Sequence, residues 1–121
     1  MRTFFESLQK HVRLRFVATT GPEHAQGLMH QEPLGPNEGA LFVYESPSKS
    51  KFWNKNVSFP IEIGFFDISK KLVDIRQLQA NQEQEVGSKY EFVYALETAT
   101  GFFSQKDIGK SLDEFVDNHS S

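Results

Sequence analysis

Phe52-Trp53-Asn54-Lys55-Asn56-Val57-Ser58-Phe59-Pro60-Ile61-Glu62-Ile63-Gly64-Phe65-Phe66-Asp67 holds the single tryptophan and four of the twelve phenylalanines of the chain. The stretch reads as two strands joined at Ser58-Phe59-Pro60, because proline cannot donate to a ladder and suits a strand start or a bend. Two asparagines flank a lysine in its first half, and Glu62 stands among apolar residues in its second. The core and any binding site are expected to be built around it.

Upstream, Val12-Arg13-Leu14-Arg15-Phe16-Val17-Ala18 alternates apolar with basic, the pattern of a half-buried strand whose arginines share the wet face and protect an edge. Thr20 or Gly21 can cap a helix that starts at Pro22 and ends near His30, with Leu28 and Met29 as core contacts. A loop rich in proline and glycine follows, and then a short apolar strand, Ala40-Leu41-Phe42-Val43-Tyr44, suited to a central position. Residues 45–51 read as a turn or loop by composition.

Downstream, Ile68-Ser69-Lys70-Lys71 makes a hairpin turn and Leu72 to Gln79 runs back. Ala80 to Lys89 is polar and reads as a flexible loop, and Tyr90 to Glu97 as the last long strand. A short helix over Phe102–Asp107 and a closing strand over Ile108–Leu112 complete the pattern. Residues 3–10 carry Phe4, Phe5 and Leu8 at helical spacing, and residues 117–121 read as a disordered tail.

This pattern predicts one α+β domain over residues 1–121, mainly β, with a helical segment at 1–10 and a core at 11–116. Its sheet, antiparallel or mixed, should curl into a barrel or sandwich to hide its edges, accompanied by two or three short helices.

Composition removes several functions. No cysteine is present, so disulfides, thiolate metal sites and cysteine nucleophiles are excluded. A net charge of −3 without a clustered basic face argues against nucleic acid. The glycines form no dinucleotide or phosphate-binding pattern, no cofactor is implied, and no run is long and apolar enough to span a membrane. His24 and His30 lie six apart and do not share a helix face, so surface or capping roles are expected of them rather than a metal site. The first ten residues lack the apolar run of a signal peptide, which places the chain as written in the cytoplasm, or outside it if a leader has been removed.

The residues left for function are few. Alternation puts Glu97 in line with Val93 and Ala95, so its carboxylate should be partly buried and needs a partner. Asn54, Asn56, Lys55 and Arg76 are the candidates for that role. A cluster of Asn54, Asn56, Glu62 and Glu97 with Trp53 as an apolar wall suits a small polar ligand, such as a sugar, or a peptide end. The expected function is therefore a non-catalytic binding or accessory domain. The alternatives are a hydrolase that uses Glu62 and Glu97 as acid and base, and a structural or interaction module without a pocket. The oligomeric state is left open.

Several blocks occur together in a recognisable order: Gly27-Leu28-Met29, Gly39 to Tyr44, Phe52 to Val57, Pro60 to Asp67, Leu96-Glu97 and Gly101-Phe102. Their co-linear run resembles the bacterial and archaeal family called domain of unknown function 192. That resemblance implies a small, mostly β domain, often exported, with no cofactor and no established reaction. The chain departs from the usual family pattern at Ala40, Asn54, His30, Ile61-Glu62 and Lys110.

Overall fold

The computed structural model describes residues 10–117. Seven strands and one helix follow in order: β1 (Arg13–Ala18), α1 (Gly21–Gln26), β2 (Glu38–Ser48), β3 (Lys51–Phe52), β4 (Ile61–Phe66), β5 (Leu72–Leu78), β6 (Val86–Gly87) and β7 (Phe92–Thr98). Two short 3-10 turns, Gln105–Asp107 and Leu112–Glu114, come last. The main sheet has the order β1-β2-β7-β4-β5, and β3 pairs with β6 in a separate two-stranded sheet. β1 runs parallel to β2, and every other pairing is antiparallel.

The sheet is mixed and open, with no closing pair between β1 and β5. It hides its surfaces by being covered on both faces, which explains why all six residues of β4 are buried. A strand covered on both sides reads as a continuous apolar run rather than an alternating one. One face packs Phe42, Ile63, Phe65 and Ala95 under Leu28, Phe52, Val57 and Phe59. The other packs Leu41, Phe66, Leu72 and Leu96 under Phe102, Phe103, Leu112 and Phe115. Gly64 belongs to the second face, where an added Cβ would meet the Phe103 ring at 2.5 Å. A side chain there would push the covering segment off the sheet.

Several expectations need correction. The first half of the opening stretch is not a full strand. β3 is only two residues long, and Trp53 to Pro60 form a turn in which Asn56 takes a positive φ of 60°. Asparagine tolerates that conformation better than most residues because its polar side chain can hydrogen-bond to nearby backbone. β2 extends through Ser48, into residues read as a loop. The polar segment 80–89 contributes β6, and the Gln82 carbonyl accepts a hydrogen bond from the Asn54 amide. No closing strand forms at Ile108–Leu112; only an isolated bridge joins Lys71 to Ser111.

The helix is shorter than expected. Thr20 caps it and Glu23 reaches back in a capping box, but Gly27 ends it with a φ of 47°. It is the one α-helix among the described residues. Arg15 is not simply a solvated edge residue. It donates to both carboxyl oxygens of Glu38 and to the Glu32 and Pro33 carbonyls, tying down the loop before β2. Strict alternation also fails at Phe92, which joins the face of Ala95 because the β2–β7 register shifts between Val43 and Ser48. Asp117, assigned to the tail, donates its amide to the Val12 carbonyl. The predicted helix at 3–10, apart from Lys10, and the tail beyond Asp117 lie outside the described residues.

Candidate functional site

In β7, Glu97 faces Ala40 of β2 and Ile63 of β4. Directly paired residues share a face, so Glu97 projects to the side of Phe42 and Phe65. There a cavity of about 310 Å³ lies between the sheet, α1, β3 and the Trp53 turn. Glu97 is 4% exposed. Burial alone pushes its carboxyl up to about 8, with no hydrogen bond or cation opposing it. Yet no fully buried side-chain polar atom among the described residues lacks a partner. The carboxyl oxygens therefore keep access to the cavity instead of docking on protein.

Aromatic rings line much of the remainder. Phe42 and Phe52 meet edge to face, their centroids 5.7 Å apart. His24 stacks on Tyr44 at 4.2 Å. The capping box sets the first turn of α1 and so fixes where His24 leaves it. Its Nε2 lies 3.1 Å from the Ala18 carbonyl oxygen and 3.0 Å from that of Val43. Both are acceptors, so Nε2 carries the hydrogen and donates. The Tyr44 hydroxyl is raised to about 12, by burial first and then by the nearby Glu97, with the Ser50 hydroxyl acting in the opposite direction.

The five residues expected to cluster do not all do so. Trp53, Asn54 and Glu97 line the cavity together. Trp53 stands at the rim, 42% exposed, with the Lys55 ammonium 5.4 Å from its ring centroid. Asn54 is buried and donates through its side-chain nitrogen to the Phe59 carbonyl at 3.0 Å and the Gln79 carbonyl at 2.9 Å. Asn56 is exposed; its role is the turn, where its carbonyl accepts the His30 amide.

Glu62 faces the other side of the sheet. It pairs with Thr98, one position from the Ile63–Glu97 pair, so the two glutamates project from opposite faces. One Glu62 oxygen accepts the backbone amides of Phe102 and Phe103 at 2.8 and 3.1 Å, and the other accepts Gln77 Nε2 at 3.1 Å. A hydrolase using both carboxyls on one bond has no geometry here. Arg76 donates to the Gly87 carbonyl, not to Glu97.

His24 and Tyr44 escaped the reading of the sequence. Tyr44 was accessible in principle, since Ala40, Phe42 and Tyr44 alternate on the strand that pairs with Glu97. His24 was not, because its place depends on where a six-residue helix docks. Among the described residues no group of three or more His, Cys, Asp and Glu side chains is arranged to hold a metal ion, and no helix is long and apolar enough to cross a membrane.

No curated protein matches the sequence. Among solved structures, a Novosphingobium aromaticivorans protein of unknown function is 28% identical with a TM-score of 0.68. The match covers 73% of this chain and 64% of that one, so this chain spans less than two thirds of the length of that protein. A Sinorhizobium meliloti protein, provisionally assigned as a transcription regulator, shares the fold at 24% identity and a TM-score of 0.68, over 71% of this chain and 67% of its own. The sequence profile of the domain of unknown function 192 (DUF192), described as an uncharacterized ACR, matches residues 5–113. The chain belongs to the DUF192 family.

Proposed function

We propose that this domain is a non-catalytic binding module that takes a small polar molecule or a peptide end into the cavity between Trp53 and Glu97. The observation that carries the reading is the Glu97 carboxyl, buried without a protein partner and open to the cavity. A carboxyl that no protein group satisfies and that stays open to a cavity can take its hydrogen bond from a ligand in place of water. The aromatic lining gives such a ligand apolar surface, and Trp53 at the mouth provides a ring to stack on. Catalysis has less support: the second carboxyl faces away, and His24 Nε2 is committed to two carbonyls.

A panel of sugars, short peptides and metabolites, read by Trp53 fluorescence and thermal shift, tests this. At least one member is expected to shift both signals, and Glu97→Gln should weaken its binding roughly tenfold or more, the effect of one lost hydrogen bond to a charged or buried group. Silence across the panel, or binding indifferent to Glu97→Gln, would sink the reading.

A further inference from the structure

The polar side chains that line the cavity include donors, on Tyr44, Ser50, Lys51 and Trp53, and a set of acceptors the protein leaves uncommitted. The Asn54 side-chain nitrogen is spent on the Phe59 and Gln79 carbonyls, which leaves its oxygen as the uncommitted atom. Gln26 donates its side-chain nitrogen to the Met29 carbonyl and likewise keeps an oxygen. The His24 ring, donating at Nε2, has Nδ1 left as an acceptor when neutral. Glu97 and Glu85 add carboxyl groups. Against these stands one cation of the lining, Lys51, whose ammonium does nothing to ease the ionisation of Glu97.

Glu97 is buried at this cavity with no protein donor, so a ligand that reaches it must bring one. The aromatic lining and the −3 net charge of the chain favour a positive one. At the rim the Trp53 ring faces the Lys55 ammonium at 5.4 Å, so an entering cation must displace that side chain from the ring. Resting on the binding-module reading above, we propose that the cavity takes a small organic cation whose primary ammonium enters past Trp53 and pairs with Glu97.

Binding then exchanges one positive charge for another. In the empty cavity at neutral pH the carboxyl holds a proton, because burial raises it to about 8. When the ammonium arrives, the O–H bond of Glu97 breaks, its proton leaves to solvent, and the carboxylate pairs with the ligand, which keeps all its own protons. The titratable groups around Glu97 are His24 from α1, Tyr44 from β2, Lys51 from β3 and Glu85 from the segment before β6. Ala40 and Ile63 flank it within the sheet and do not titrate.

Titration calorimetry on the full chain tests this with matched probes: benzylamine against benzyl alcohol, and butylamine against butanol. Each is run at pH 7 in two buffers of different ionisation enthalpy, which counts protons. An amine is expected to bind at least tenfold tighter than its alcohol and to release most of a proton, because burial raises the Glu97 carboxyl to about 8, above the pH of the measurement. Its affinity should fall by up to about tenfold for each unit of pH below 8, and level off above it. Glu97→Gln should abolish the proton release and most of the preference for the amine; the count on the unaltered chain stands even if that variant folds poorly. Alcohols binding as well as amines, or amines binding without proton release, would overturn the cationic ligand and leave the cavity reading intact. Silence from all four probes also overturns the cationic ligand, and the broader panel then decides whether the cavity binds anything.

Discussion

The two faces of the main sheet each bury one glutamate, and they treat it in opposite ways. On one face Glu62 meets two backbone amides and a glutamine nitrogen, which between them use both of its oxygens. On the other, Glu97 meets no donor and opens into a cavity. The first arrangement fixes a piece of chain: the amides belong to Phe102 and Phe103, whose rings cover that face. The second fixes nothing. Burial is therefore the same for both residues and says little about role; what separates them is whether the protein supplies the partner. A carboxylate saturated by backbone is a structural fastening, and one left unsatisfied inside a cavity is available to something else.

The sharpest way to break this contrast is to remove each carboxyl in turn. Glu62→Ala leaves two buried amide donors without acceptors and frees the segment that Phe103 anchors. It is expected to cost roughly 3–5 kcal/mol, since donors orphaned in the interior cost more than the bonds contributed. Glu97→Ala, at a pH where the native carboxyl is protonated, should cost clearly less. Urea denaturation of both variants at pH 6 measures the difference. Equal losses would mean that Glu97 also holds the fold together, and the distinction between the faces would be gone.

Much of the side that Glu62 fastens was legible in the chain, and little of the other. Ile61 to Phe66 reads as a buried strand because a run of apolar residues bounded by Pro60 and a turn has few other readings. Alternation also predicted that Glu97 would be partly buried, and its burial is nearly complete. It could not say that Glu62 and Glu97 sit on opposite faces of one sheet, because that follows from how β4 and β7 are paired, which is a long-range fact. The Trp53–Asn56 segment misled for one long-range reason and one local one. Its residues suit a strand, but Asn54 donates to the Gln79 and Gln82 carbonyls, far along the chain, and Asn56 turns the backbone through a positive φ. The cavity lies where those distant contacts converge, and no periodicity within one segment encodes it.

Acid–base titration of stability sharpens the comparison from the other side. The Glu97 carboxyl titrates near 8 in the folded protein against an ordinary value of 4.5. Between these two limits the native state binds more protons than the unfolded state, so stability falls as pH rises. The slope from this one group reaches about 1.4 kcal/mol per pH unit, and it vanishes above and below the window. Asp107 does not blur the test. Burial alone would raise it, but Lys10, the Ser104 amide and Lys110 outweigh that and hold it down to about 2 against an ordinary 3.8. Its stabilisation is complete above the ordinary value and is lost only as pH falls through the folded one. Unfolding free energies from pH 5 to pH 9 should show the slope in the native sequence and a flatter profile in Glu97→Gln. Parallel profiles would mean that the Glu97 carboxyl finds a partner after all.

The smallest expected effect bears on the rim of the open face. Trp53 is 42% exposed, and its ring meets the Lys55 ammonium. A large aromatic residue in the core would cost about 3–5 kcal/mol on truncation to alanine. Here the lost contacts are a cation–π pair at an exposed site and part of one ring surface. Trp53→Ala should therefore lower stability by only about 1 kcal/mol or less. The corresponding loss at Phe42, which is buried on the same face, falls in the core range. Chemical denaturation followed by far-UV circular dichroism measures both without relying on the tryptophan signal. If Trp53→Ala costs as much as Phe42→Ala, the tryptophan is part of the packing and the mouth of the cavity has been placed on the wrong residue. A small loss keeps it as a ring held at the entrance, for which packing is not the reason.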